Sequence, residues 1–327
     1  VGILSFICCV LQYYFTRERV TEETYNEIDK KEKISVKKQL KASVNEKYWW
    51  IIIIFYLIFQ FSGAFKNLSM VYFCNSILDN SFWGANLDAS TASGMTQSLL
   101  AILGAIPMAV AVIFIWPLSN KIGKQKVTMA GMVIGVIGGI IEIIGGSNVV
   151  IVSVGVALKC LGSAPACYMI LAMISDVLDH MEAKNGFRCD GFTMSIYSSI
   201  MVAATGFCTA IFNAISNAGA NKVAVSISYV WIETIAYAVC LILLLFFNVE
   251  NKLQEDQQII INRQKELCLA RGETWIEPQE RLRLEQEQAE KEAEENRIKE
   301  LKDYCLRKNK DFEVEEAKYQ AKHNKKK

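Results

Sequence analysis

The order of apolar and polar positions divides this chain sharply. From 48 to 248, long apolar runs are separated by short polar stretches. From 249 to 327, Glu, Lys, Gln and Arg crowd together. A soluble domain interleaves the two kinds of residue along each element, so segregation on this scale predicts a membrane part followed by a water-facing part. A helix needs about 20 apolar residues to cross a bilayer. Runs near 48–73, 96–118, 127–145, 148–175, 191–216 and 224–248 meet that length and predict six spans. A seventh run, 2–16, is shorter and stops at Phe15-Thr16-Arg17-Glu18-Arg19. Basic residues follow it rather than precede it and no small-residue cleavage site is present, which argues against a secretory signal. The expectation is a span cut at its N-terminal end, the chain then being a fragment.

Charge adds an orientation. The loop 17–47 carries Arg17, Arg19, Lys30, Lys31, Lys33, Lys37, Lys38, Lys41 and Lys47; the loop near 119–126 carries Lys121, Lys124 and Lys126; the loop 176–190 carries Lys184 and Arg188. The loops on the opposite side contribute Lys222 alone. Short loops rich in Lys and Arg stay cytoplasmic. The chain is therefore expected to begin outside, cross seven times and end in the cytoplasm, as an integral protein of the cell membrane. One crossing, a long basic loop and six further crossings resemble the layout of the major facilitators, two six-helix halves joined by a long cytoplasmic linker, and the likeness implies the following assignment. Residues 1–16 would be the last helix of the first half, 17–47 the linker, 48–248 the second half and 249–327 a charged cytoplasmic tail. In the tail, Gly272 and Pro278 interrupt the pattern. Pro278-Gln279-Glu280 reads as a helix start, and the helix formers from 279 to 306 carry too few apolar residues for a sustained heptad. This predicts a solvated helix, with a cytosolic partner as the alternative.

The chemistry-bearing residues exclude several classes. Ten cysteines form no Cys-x-x-Cys pair, and His180 and His323 stand far apart, so the cysteines read as apolar fillers and free thiols, with no metal site or cofactor. The glycines of Gly131-Met132-Val133-Ile134-Gly135-Val136-Ile137-Gly138-Gly139 lie in an apolar span and read as helix-packing glycines rather than a nucleotide loop. No catalytic signature is present, and basic residues that mark loop orientation do not suggest nucleic acid.

The most specific motif is Ser175-Asp176-Val177-Leu178-Asp179-His180-Met181-Glu182, continued by Lys184, Arg188 and Asp190. It resembles the Asp-x-x-Asp-aromatic-x-Glu pattern, followed by an Arg and an acid, of the glycoside-pentoside-hexuronide:cation symporter family of the major facilitator superfamily, to which the melibiose carrier belongs. Gly162-Ser163-Ala164-Pro165-Ala166, Ser195-Ile196-Tyr197-Ser198 and the basic loop Asn120-Lys121-Ile122-Gly123-Lys124-Gln125-Lys126 are similar to it as well, and the likeness covers roughly 1–250. It implies an all-α membrane protein, the C-terminal six-helix bundle of a major facilitator plus the last helix of the N-terminal half. The implied activity is sodium- or proton-coupled symport of a glycoside or other sugar by alternating access, with the substrate between the halves and the coupling cation bound mainly in the N-terminal half absent here. Partners would be the sugar, the bilayer and that half. Asp176, Asp179, Glu182, Lys184, Arg188 and Asp190 become candidates for a cytoplasmic gate; single exposed pairs contribute about 0–1 kcal/mol, suited to a contact that opens thermally.

Candidates for the substrate cavity are Lys66, a charge inside an apolar run, with Asn67, Tyr72 and Asn75 on the same helix; Tyr168, one turn beyond Pro165; and Ser198, Thr205 and Thr209, which share one face of 191–216 with Asn213. Each has a plainer reading: snorkelling for Lys66 and helix packing for the hydroxyl stripe. Where the melibiose carrier has a lysine in this helix the chain has Val202, and where it has a sugar-facing Trp the chain has Cys167. Trp231 and Glu233 read as an interfacial anchor and an outer polar contact. Two alternatives remain at this point: a lysolipid carrier of the same fold, and a non-transporting membrane sensor that signals through its tail.

Overall fold

The structure is a computed structural model and describes residues 6, 8, 10–12, 34–84, 87–217, 222–272, 274–308 and 311–316. Of the run 2–16, residues 6, 8 and 10–12 are described, and they are helical; the loop 17–33 and the terminal Lys325-Lys326-Lys327 lie outside the described residues. No strand occurs among the described residues, and six helices are long and apolar enough to cross a membrane. Numbered from the first fully described helix, the elements are α1 Val36–Val44, α2 Lys47–Ser76, α3 Ala89–Ile122, α4 Lys124–Gly145, α5 Val149–Asn185, α6 Asp190–Asn217, α7 Lys222–Ser226, α8 Ile232–Leu245, α9 Leu253–Ala270 and α10 Pro278–Lys308. A π-helical turn, Ile227–Trp231, joins α7 to α8.

The helices outrun the apolar spans that announce them, because a helix continues through polar sequence until a capping residue or a glycine ends it. α3 therefore begins at Ala89, through a Ser- and Thr-rich stretch that apolarity alone leaves out. α5 has 37 residues, about 55 Å of helix, against a hydrocarbon layer of about 30 Å. Its last turns, which carry Asp176 to Lys184, thus project beyond the core. Local signals set the ends: the Asn148 side chain accepts from the N–H groups of Val150 (3.0 Å) and Ile151 (3.3 Å) at the start of α5, and Gly186, at φ 80°, closes its last turn.

The densest packing joins α4 to α5, where glycines bring the backbones together. A Cβ on Gly131 would lie 2.5 Å from the Gly162 carbonyl oxygen, and one on Gly138 would lie 2.7 Å from the Lys159 nitrogen. The glycine run is thus a helix seam, as its apolar setting predicts. Aromatic rings fill the rest of the interior: Phe73 stacks on Tyr229 at 4.2 Å and Tyr56 on Tyr197 at 4.2 Å. By contrast α3 and α6 expose large apolar side chains, among them Ile113, Trp116, Val202 and Phe207.

The chain forms two compact units, Val1–Ile260 and Ile261–Lys327. The second contains α10, which starts at Pro278 as expected. Within it Arg297 bridges Glu294 and Glu316, each at 2.6 Å, and Lys302 lies over the Phe312 ring.

Candidate functional site

Four charged side chains meet inside the bundle. Lys159 of α5 donates to Glu142 Oε2 of α4 at 2.8 Å and closes an ion pair with Glu233 Oε2 of α8 at 3.0 Å. Lys66 of α2 donates to Glu233 Oε1 at 3.2 Å, and the Tyr237 hydroxyl donates to the same oxygen at 2.8 Å. Lys159 and Glu142 are fully buried, Glu233 is 3% exposed and Lys66 14%. Lys66 lies ten residues from the end of α2 and Lys159 ten residues from the start of α5, about 15 Å of helix in each case. Bare charges are costly at such depth, so intramembrane ionisable groups pair with one another.

The backbone contributes. The π turn ahead of Glu233 widens the helix by one residue and loosens its hydrogen-bond ladder. The Val230 carbonyl there accepts from Lys159 Nζ at 3.3 Å as well as from the Thr234 hydroxyl at 2.6 Å. Tyr229, in the same turn, is buried with its hydroxyl unpartnered, as is Glu142 Oε1. Lys66 Nζ also lies 3.7 Å from Cys160 Sγ.

Glu233 is therefore the hub of a buried cluster, not an outer polar contact. The sequence reading overlooked Glu142 and Lys159. The signal that picked out Lys66, one charge in an apolar run, marks both of them too.

The remaining cavity candidates are spread over three helices. Asn67, Tyr72 and Asn75 are exposed on α2, Tyr168 on α5, and Ser198 and Thr205 on α6, with Thr209 half-buried. Tyr72 packs on Phe212 of α6 with ring centroids 5.2 Å apart, and the Thr209 hydroxyl donates to the Thr205 carbonyl at 2.7 Å. The structure joins Lys66 to the charged cluster and leaves the others presented separately.

At the basic-loop end the gate candidates pair with neighbours within this bundle. Lys124 binds Asp176 through both carboxylate oxygens, at 2.7 and 2.8 Å. Arg188 reaches Asp179 at 2.6 Å, Asp190 at 2.7 Å and Glu182 at 3.5 Å. Burial works against the charge of Arg188, but Asp190, Asp179 and Glu182 outweigh it and hold the guanidinium above its ordinary range. Lys184 pairs with Glu46 at 2.7 Å, and His180 Nδ1 lies 2.7 Å from Asp256. The Glu250 carboxylate accepts from the backbone N–H groups of Lys124 (2.8 Å) and Gln125 (3.2 Å), capping α4 where the helix dipole favours an anion. Gly123, at φ 102°, holds a backbone conformation that side-chain-bearing residues rarely adopt, and a Cβ there would have to displace that carboxylate, 2.8 Å away.

Comparison with known proteins places this architecture. The chain matches the family described as MFS/sugar transport protein over residues 1–250. It is similar to a protein described as an isoprimeverose transporter from Lactiplantibacillus pentosus, with 26% identity over 262 residues, 76% of this chain and 50% of that protein. The chain thus spans about half the length of that relative. No solved structure matches it. A match that runs through the six membrane-length helices identifies the chain as a member of the MFS/sugar transport protein family, a family of transporters and not of enzymes.

Proposed function

We propose that this chain supplies the C-terminal half of a carrier that moves a sugar across the cell membrane by alternating access, driven by sodium or protons. The observation that carries this reading is the family match across the bundle, combined with polar groups that this bundle holds at membrane depth. Hydroxyls and amides on α2 and α6 suit a sugar, which needs several directional hydrogen bonds: Asn67, Asn75, Ser198, Thr205 and Thr209, with Tyr72 and Tyr168 as stacking surfaces. Asp176, Asp179, Glu182, Lys184, Arg188 and Asp190 form the gate. They release their partners within this half, or exchange them with the other half, as the inner side opens. The positively charged loops and the tail lie in the cytoplasm. The similarity to an isoprimeverose transporter makes a small glycoside the first substrate to try.

The test is uptake of labelled glycosides by the intact protein in proteoliposomes, with and without imposed sodium or proton gradients. Gradient-dependent accumulation is expected. Binding without accumulation under either gradient retires the carrier in favour of a sensor. Exchange of lysolipid in place of sugar retires the sugar.

A further inference from the structure

The cluster of Lys66, Glu142, Lys159 and Glu233 holds two ammonium and two carboxylate groups, and it sums to zero. Its members are not equivalent. Glu142 and Lys159 have no exposed side-chain surface, and Glu233 has almost none; Lys66, at 14%, is the member that reaches the outside of the packed core. Its contact to Glu233, at 3.2 Å, is the longest of the three ion pairs. Glu233 does not depend on it, because Lys159 at 3.0 Å and the Tyr237 hydroxyl at 2.8 Å remain if Lys66 turns away. An ammonium has three donors. Among the described residues Lys66 directs one to Glu233 and one weakly to the Cys160 sulfur, which leaves one for another acceptor.

We infer that Lys66 is a ligand-binding donor whose charge is cancelled in advance by the cluster behind it, so that the site takes an uncharged polyol such as a neutral glycoside and rejects the corresponding uronic acid. This deepens the carrier reading above and rests on it. Lys66 offers hydrogen bonds to a sugar oxygen while Glu142, Lys159 and Glu233 together hold one negative charge. A neutral sugar leaves the sum at zero. A carboxylate brings it to minus one in a water-poor region, where unbalanced charge is expensive. An isolated lysine would select the opposite way. Glu233 is thus a specificity-determining residue although it need not touch the ligand.

The experiment measures equilibrium binding to the intact protein in nanodiscs. It uses a panel of neutral disaccharides and their matched uronic acids, each pair differing by one primary alcohol oxidised to a carboxylate. Wild type is expected to bind the best neutral sugar at least about tenfold more tightly than its acid, a gap of about 1.4 kcal/mol. In Glu233→Gln the cluster sums to plus one, and the acid should gain about tenfold relative to the neutral sugar. In Lys66→Met the sum is minus one; both ligands weaken and the acid weakens more. The double variant, again neutral, should restore the wild-type ratio to within about threefold. The single and double variants at Lys66 each keep a partner for Lys159, which guards against a Glu233→Gln protein that fails to assemble. Equal binding of acid and neutral sugar by wild type, or a ratio that ignores all three variants, overturns the charge-neutral site alone. Binding of no sugar of either kind removes the carrier reading and this inference together.

Discussion

At the residue scale, the bundle's least replaceable charge is Lys159. It serves two carboxylates and a backbone carbonyl with no exposed surface of its own. Lys159→Met strands Glu142 without its ammonium, and stranding one partner of a buried pair costs about 3–5 kcal/mol. Removing Glu142 as well, in Lys159→Met/Glu142→Gln, should recover most of that loss, since replacing a whole buried pair is often close to neutral. Denaturant unfolding in detergent followed by circular dichroism distinguishes the two. A double variant no more stable than the single would show that the pair is not what makes Lys159 costly to lose. The two residues were visible in the sequence as single charges in apolar runs, on the same ground that singled out Lys66. What the sequence withheld was their meeting. Glu142, Lys159 and Glu233 lie on three different helices, and no helical periodicity relates one span to another. The hydroxyls of Ser198, Thr205 and Thr209 show the converse. Their shared face was legible from a spacing of seven and four, yet a common face does not say what it looks at.

At the element scale, the α4–α5 seam is set by close backbone approach, so side-chain size there decides whether the two helices dock. Gly162→Leu places a branched side chain where even a Cβ would contact the Gly131 carbonyl oxygen at 2.5 Å. Overpacking of this kind costs about 1–3 kcal/mol when side chains can yield, and here the obstacle is main chain. Expression in membranes and the unfolding midpoint should both fall. Gly63→Ala on α2 is the control: a Cβ there meets nothing within 4 Å, and replacing a mid-helix glycine by alanine stabilises by about 0.5–1 kcal/mol. If both changes behaved alike, the seam would not be the closely packed contact described. The glycines were legible as packing residues from their apolar setting; which helix they face was not.

At the scale of the whole molecule, the chain is two compact units. The packed interior of the first, its charged cluster and the carboxylate cap on α4 all involve residues up to Asp256. A chain ending at Ile260 should therefore keep the helical content per residue and the unfolding midpoint of the longer chain, on the view that distant sites act additively. Aggregation or a lowered midpoint on removing 261–327 would mean that the charged segment supports the bundle. The six spans followed from length and hydropathy, whereas the boundary between the units, after Ile260, does not coincide with the change in composition at 249. The residues that fasten the basic-loop end were harder to see. Glu250 reads as the first charge of a polar segment, and only its position against Lys124 and Gln125 makes it a helix cap. The turn between α7 and α8 carries its own lesson. It holds one amino acid more than a regular helix would use for the same rise, and each residue of an α-helix advances the screw by about 100°. Excising Ser228 would let the turn relax to ordinary pitch. Deleting a residue from a regular helix would turn everything after it by that angle; deleted from this turn, it leaves α7 and α8 in phase, and what is lost is the loosened Val230 carbonyl that Lys159 Nζ uses. The extra residue thus frees a backbone acceptor without rotating the acid beside it.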